Sequence, residues 1–257
     1  MKLFPFILKL LFVIILVSLC FLIGKRLYTH VRNAQIEIAN LYEAMVITPA
    51  QEMDSLPHHV FCIGNSITSM QPSEAIGWKG RWGMAASRAE KDYVHLLEKK
   101  LKCYNAQSTV TCMNIVSWEI DPTVNIKALL QDSLKGKDMV IIRIGDNVRD
   151  VDAFRQGLQQ LVVLCKLYTS KIIITGCFWK RIHTESVLIS TARANHLKYV
   201  PLFWIGEIYG DTTYCHDDDS FYDEEGMPYQ SDHPSFKLHP NDRGMKMIAD
   251  AIFDSFL

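Results

Sequence analysis

Three residues in this chain have side chains that together could carry out acyl transfer. Ser66 lies three residues after the apolar run 58–63, Asn147 lies three residues after the apolar run 139–144, and His239 precedes the last predicted helix. A serine hydroxyl becomes an effective nucleophile when a neighbouring base takes its proton, and a carboxamide can donate a hydrogen bond to the oxyanion that then forms. The three residues therefore indicate a nucleophile, an oxyanion donor and a base, which is the chemistry of a serine hydrolase.

Ser66 and His239 also have a structural interpretation. A serine after a strand often caps the helix that follows, and a loop histidine before Pro240 can cap the last helix. Catalysis instead requires the hydroxyl of Ser66 to lie about 2.6–3.2 Å from the imidazole of His239. That distance distinguishes the two interpretations.

The elements that must position these residues alternate along the chain. Short apolar runs predict strands at 60–63, 109–116, 139–144, 171–177 and 199–205. Amphipathic periodicity predicts helices at 85–101, 125–134, 151–168, 185–194 and 242–256. Strands that alternate with helices predict a parallel sheet covered on both faces, which is a three-layer α/β/α sandwich. Ser66 and Asn147 would then lie at the carboxyl edge of the sheet, where open α/β folds bind their ligands.

The segments around these residues resemble the sequence blocks of the SGNH (GDSL-like) hydrolase family. Gly64-Asn65-Ser66 is similar to the nucleophile block of that family, with Asn65 where Asp is commoner. Gly145-Asp146-Asn147-Val148 is similar to its Gly-x-Asn block, and His239-Pro240-Asn241-Asp242 is similar to its C-terminal histidine block. The resemblance runs from about Val60 to the C-terminus and implies a flavodoxin-like sheet of five parallel strands.

The resemblance implies an oxyanion hole with three donors. The backbone N–H of Ser66 and the side-chain amide of Asn147 supply two of them. The third comes from the end of the second strand, where the family has a glycine and this chain has none. A backbone N–H does not require glycine, so Ser117 or Trp118 is expected to donate, with a side chain that narrows the cleft.

The chain departs from the family pattern three residues before His239. The family has an aspartate there that orients the imidazole, whereas this chain has Phe236. The imidazole must then be oriented by a backbone carbonyl or by another acid, for which Asp232 and the cluster 217–219 are candidates. Losing the acid costs a Ser–His–Asp protease roughly 10⁴ in turnover, so the replacement decides how active this site can be.

Two loops poor in regular pattern, 77–83 and 209–236, are expected to form the substrate cleft. Trp78 and Trp82 in the first loop could stack on a sugar ring or pack into the core. The family resemblance implies an esterase that removes acyl groups, chiefly acetyl groups, from a carbohydrate or a similar ester. Two alternatives stay open, an O-acyltransferase that acts on sugars and a non-catalytic glycan-binding module.

Composition restricts the other partners. The 257 residues carry a formal net charge of −1 and lack the basic surface that nucleic acid requires. None of the seven cysteines has Cys-x-x-Cys spacing, and the acidic cluster beside His216 is typical of a solvated loop. We therefore expect no metal, no cofactor and no nucleic-acid partner.

The N-terminus predicts attachment to a membrane. Leu3 to Gly24 are almost wholly apolar and, as a helix, would span roughly 33 Å, enough to cross the hydrocarbon core of a bilayer. A cleaved signal peptide is the alternative, but no small-x-small cleavage site follows the apolar run. The prediction is a transmembrane anchor at 1–26, a helical stalk and linker at 27–57, and an SGNH hydrolase-like domain at 58–257. The family resemblance favours an exported, extracytoplasmic domain.

Overall fold

The computed structural model describes Ile23 and residues 56–257. Almost all of the predicted anchor, stalk and linker lies outside the described residues, so the membrane anchor and the exported location stay predictions. Within Ile23 and residues 56–257, no helix is both long enough and apolar enough to cross a bilayer.

Five parallel strands form the central sheet. They are β1 (His59–Gly64), β2 (Thr109–Asn114), β3 (Met139–Arg143), β4 (Ile172–Thr175) and β5 (Lys198–Val200), in the spatial order β2-β1-β3-β4-β5. In the central register, Val60 lies between Val110 and Met139. This flavodoxin-like order confirms the predicted three-layer sandwich and sends the ends of β1 and β3, which are neighbours, to the same edge.

Eight α-helices lie within residues 56–257. They are α1 (Tyr93–Lys102), α2 (Val116–Ile120), α3 (Ile126–Leu130), α4 (Val151–Lys166), α5 (Ile182–Ala194), α6 (Phe203–Thr213), α7 (Pro234–Lys237) and α8 (Asp242–Asp254). Helix α8 packs against α1 and α6, and α4 packs against α5. Successive residues of a strand face opposite sides of the sheet. Accordingly, Val60 and Cys62 join the core cluster under α1 and α8, while Phe61 and Ile63 are equally buried on the other side.

Several predicted boundaries were wrong, and three of them have a local reason that the structure shows. The second strand was predicted to reach residue 116, but it ends at Asn114, whose side chain accepts a hydrogen bond from Val116 N at 2.9 Å and starts α2. The fifth strand was predicted to reach residue 205, but Pro201, which has no N–H to donate to a ladder, follows its last residue. The first helix begins at Tyr93 rather than residue 85, since Asp92 caps it through His95 N.

The segment predicted as a loop before His239 contains regular structure. The C-terminal part of α6 lies at its start, β6 (Phe221–Tyr222) and β7 (Pro228–Tyr229) form a small antiparallel hairpin, and α7 follows. Phe221 of this hairpin is buried. The hairpin and α7 thus pack the segment that precedes His239 against the core through Phe221 and Phe236.

Candidate active site

The hydroxyl of Ser66 contacts the imidazole of His239. Ser66 Oγ lies 2.8 Å from His239 Nε2, although the two residues are 173 positions apart in the sequence. Ser66 sits in a tight turn closed by bonds from Thr68 N and Ser69 N to the carbonyl of Asn65. Gly64 permits this turn, because a Cβ there would lie 1.8 Å from Thr68 Oγ1. The hydroxyl therefore bonds a base rather than a helix N–H, which favours the catalytic interpretation over the cap.

A backbone carbonyl orients the imidazole. His239 Nδ1 lies 2.6 Å from the carbonyl oxygen of Ser235, in the helix α7. A carbonyl oxygen can only accept, so Nδ1 carries the proton and Nε2 faces Ser66 with a free lone pair. This is the tautomer that a general base needs.

Of the two orienters that the sequence left open, the structure has the backbone carbonyl. Asp232 is exposed, and no hydrogen bond of the described residues joins it to His239. Helix α7 begins at Pro234, capped by His233, and its first turn brings the Ser235 carbonyl under the imidazole. The prediction of Asp232 as orienter was therefore wrong.

The side chain of Phe236 lies in an aromatic cluster with Phe221 and Trp78. It is 1% exposed, with ring centroids 4.9 Å from Phe221 and 5.9 Å from Trp78. Trp82 packs on Trp78 at 5.7 Å, and both tryptophans are buried. Of the two interpretations of Trp78 and Trp82, the core one is correct and sugar stacking is wrong, because buried rings offer no face to a ligand.

The structure places all the proposed oxyanion donors at the carboxyl edge of β1, β2 and β3. The backbone N–H of Ser66 has no hydrogen-bond partner among the described residues. Ser117 and Trp118 lie in the first turn of α2, where N–H groups have no partner within the helix. The ring of Trp118 is buried against Phe154 and does not narrow the cleft, contrary to expectation, whereas Ser117 is exposed.

Asn147 is held by a glutamate that the sequence analysis did not single out. Asn147 Nδ2 donates to Glu119 Oε2 at 3.0 Å, and Asn147 N donates to Glu119 Oε1 at 2.9 Å. A carboxamide nitrogen has two hydrogens, so one remains for an oxyanion. The preceding Gly145 has φ +123°, and a Cβ there would lie 2.8 Å from Cys177 Sγ, which explains the glycine of this turn.

A buried polar cluster beneath Ser66 explains why Asn65 is an amide. Its Nδ2 donates to Asp146 at 3.0 Å and to Glu119 at 3.2 Å, and its Oδ1 accepts from Arg143 at 2.7 Å. Arg143 also pairs with Asp146 at 2.9 Å, with both side chains fully buried. A carboxylate at position 65 would repel two carboxylates where the amide donates to both. Within residues 56–257, no group of three or more His, Cys, Asp or Glu residues is arranged to hold a metal ion.

Trp179 is a second residue of the site that the sequence analysis missed. Its ring meets the imidazole of His239 edge to face, with centroids 5.7 Å apart, and its Nε1 donates to the Leu238 carbonyl at 2.6 Å. Asp146 accepts from Trp179 N at 3.2 Å. Its position just after the fourth predicted strand, at the same edge as Ser66, was the available signal.

Burial lowers the pKa of His239 to about 4. The loss of solvation outweighs the hydrogen bond to the Ser235 carbonyl and the attraction of Asp146, both of which raise the pKa. Arg143 lowers it further. The imidazole is therefore neutral, as a base must be, throughout the neutral range.

Comparison with known proteins identifies the fold. No protein-family model and no curated protein sequence matches this chain. Among solved structures, LAE5, an α/β hydrolase enzyme from the metagenome of Lake Arreo in Spain, superposes with a TM-score of 0.52 at 16% identity over 77% of this chain and 94% of its own. Axe2, an acetylxylan esterase from Geobacillus stearothermophilus, gives 0.50 at 15% identity over 77% and 94%. The protein has the SGNH hydrolase fold. EstA, a psychrotrophic esterase from Pseudoalteromonas, gives 0.50 at 16% identity over 77% and 96%. The SGNH fold thus accounts for residues from β1 onward.

Proposed function

We propose that this protein is a serine esterase in which Ser66 is the nucleophile and His239 the general base. The observation that carries the proposal is the 2.8 Å contact between Ser66 Oγ and His239 Nε2, with Nδ1 of the same ring engaged by the Ser235 carbonyl. That arrangement has the distance and the tautomer that proton transfer from a serine requires. A hydroxyl that only capped a helix would have no use for an imidazole.

In the proposed reaction, His239 takes the proton of Ser66 as Oγ attacks the carbonyl carbon of the ester. The carbonyl oxygen becomes an oxyanion that accepts from Ser66 N, the Asn147 amide and a backbone N–H of Ser117 or Trp118. The imidazolium then returns its proton to the departing alkoxide, which leaves as the alcohol and yields an acyl-enzyme. In the second half of the reaction, water attacks the acyl carbon while His239 takes a proton from the water. The imidazolium then protonates Ser66 Oγ as the carboxylic acid leaves, which restores the enzyme.

The Ser235 carbonyl performs one of the two roles that an aspartate has in a Ser–His–Asp triad. An aspartate fixes the tautomer and also stabilises the imidazolium with its charge, and loss of the correct tautomer accounts for the large cost of removing that acid in serine proteases. The carbonyl fixes the tautomer but, being neutral, stabilises the cation less. We therefore propose that the protein is an active enzyme whose general base is weaker than one paired with an aspartate, and that it is not an enzyme that has lost its activity.

The proposed substrate is an acetyl ester of a carbohydrate. Axe2, described as an acetylxylan esterase, has the same fold, and the aromatic Trp179 lies partly exposed beside His239, where it can contact a sugar. Transfer of the acyl group to a sugar hydroxyl instead of water would use the same acyl-enzyme. The other alternative is a non-catalytic glycan-binding module, which would form no acyl-enzyme. Chemical labelling of the serine distinguishes this module from an enzyme.

Labelling with a fluorophosphonate probe tests the proposal. The probe phosphonylates a serine only when a base activates its hydroxyl, so we expect one label per chain, located at Ser66 by peptide mass spectrometry. Release of acetate from acetylated xylooligosaccharides, measured in parallel, tests the substrate class. A folded protein that takes no label, or takes it at another serine, would show that the proposed function is wrong.

The pH dependence of kcat/KM follows from the pKa of His239. The base form is the neutral imidazole, whose fraction falls only when pH drops towards its pKa of about 4. We expect kcat/KM to stay level from about pH 8 to about pH 6 and to fall only below that. An acid limb near the ordinary histidine pKa, in protein that circular dichroism shows to be folded, would contradict this.

A further inference from the structure

The buried carboxylate of Glu119 accepts hydrogen bonds from three groups of the site besides the amide of Asn65. Its Oε1 accepts from Gly145 N at 2.5 Å and from Asn147 N at 2.9 Å. Its Oε2 accepts from Asn147 Nδ2 at 3.0 Å and from Asn65 Nδ2 at 3.2 Å. The side chain is completely buried. All four groups donate, so this arrangement is complementary to an ionised carboxylate.

The contacts with Asn147 restrict its side chain. The backbone N–H and the amide of this one residue bind the two oxygens of the same carboxylate, so the amide cannot rotate without losing a bond. Asn147 itself is only partly buried, whereas Glu119 is fully buried. The amide therefore lies between a fixed internal acceptor and the open cleft, with its second N–H in a set orientation.

The other contacts tie the remaining oxyanion donors to the same point. Asn65 precedes Ser66, whose N–H is one donor, and Trp118, whose N–H is another candidate, precedes Glu119 in α2. One carboxylate thus connects the turns that follow β1, β2 and β3. The distances among oxyanion donors matter because an oxyanion hole acts through donors already in place when the charge forms.

Glu185 shows what a buried glutamate does without this connection. It is also nearly fully buried, and it accepts from Cys177 N at 2.9 Å and from the hydroxyl of Tyr199. None of its hydrogen bonds reaches Ser66, Asn147 or His239. It therefore serves as a control for the loss of a buried carboxylate elsewhere in the molecule.

We infer that Glu119 is a positioning residue that sets the direction of the Asn147 amide, and through that amide one donor of the oxyanion hole. The inference rests on the proposed esterase function and extends it to a residue that contacts no substrate. It also gives the fold a reason to keep an ionisable group in its interior, where an unpaired carboxylate is costly.

The test compares Glu119→Gln with Glu185→Gln. A glutamine at 119 places an NH₂ against the amides of Asn147 and Asn65, so the Asn147 amide must turn over and its free N–H is misdirected. We expect kcat to fall by about 10²-fold with KM changed by less than about threefold, as for the loss of one oxyanion donor. We expect Glu185→Gln to lower the free energy of unfolding about as much as Glu119→Gln does. It should nevertheless change kcat by less than about threefold.

A double-mutant cycle decides whether Glu119 acts through Asn147. If it does, adding Glu119→Gln to Asn147→Ala should lower kcat by less than about threefold further, because the positioned group is already gone. Multiplicative losses in the double variant, or equal losses in Glu119→Gln and Glu185→Gln, would overturn the inference. The side-chain amide resonance of Asn147 in ¹⁵N–¹H spectra gives a readout that does not need activity, and it should shift in Glu119→Gln but not in Glu185→Gln. If Ser66→Ala proved as active as wild type, the proposed function would fail, and this resonance would still decide the positioning.

Discussion

Ser66→Ala is expected to lower the hydrolysis of a short-chain aryl acetate by about 10³-fold or more. The variant removes the oxygen that would form the acyl-enzyme and leaves His239 without a proton to accept. The Ser66 hydroxyl makes no capping bond, and its contact with His239 is the interaction that is lost, so the free energy of unfolding should fall by only about 1 kcal/mol. Initial rates and urea unfolding of the same preparations measure both quantities.

Ser87→Ala is the matched control for this comparison. Ser87 is another partly buried serine whose hydroxyl donates to a side chain, Asp242 Oδ2 at 2.7 Å, but its hydrogen bonds reach none of Ser66, His239 and Asn147. We expect its kcat/KM to stay within about threefold of wild type. Equal activities of Ser66→Ala and wild type would show that Ser66 is not the nucleophile.

Phe236→Asp is expected to destabilise the protein by about 4 kcal/mol or more without activating it. The substitution restores the acid that the family has at this position, yet the side chain here enters the cluster of Phe221 and Trp78. A carboxylate there loses the packing of the ring and its own hydration. The Nδ1 atom of His239 already has its partner in Ser235. Chemical denaturation and esterase assays on the folded fraction measure the two effects.

Phe236→Leu separates the change of volume from the introduction of charge. It keeps an apolar side chain in the cluster and should cost about 1–2 kcal/mol, with esterase activity per folded molecule unchanged. A Phe236→Asp variant that stays folded and hydrolyses esters about ten times faster than wild type would mean that the carbonyl is an inadequate orienter. The result would then favour a decayed site over the one proposed.

The layered fold could be predicted because its signals are local. The buried runs of β1, β3 and β4 and the amphipathic face of α4 give their periods directly in the sequence. The errors fall where one side-chain contact or one proline ends an element, as at Asn114 and Pro201. Such a contact involves a single atom, and averaging over a window of residues does not detect it.

Only those residues of the site whose positions follow from a local sequence pattern could be predicted. Ser66 and His239 are in contact, and Asn147 follows β3, the neighbour of the strand that leads to Ser66. Glu119 was missed because its role depends on three segments that meet only in the folded chain. Trp78 and Trp82 were ambiguous because an aromatic residue in a glycine-rich loop looks the same whether it is exposed or buried.

The Ser235 carbonyl has a consequence for how this protein tolerates change. Every amino acid supplies a carbonyl at position 235, so the genetic code offers no single substitution that deletes the group bonded to His239 Nδ1. An alanine scan would therefore detect Ser66 and His239, but not the carbonyl that is the third group of the proposed proton transfer. Loss of the third would come only through the path of the backbone, by changes at His233 or Pro234 that unwind the one-turn helix α7. The orientation of His239 is thus sensitive to substitutions that change the backbone of α7, and not to the identity of the side chain at position 235.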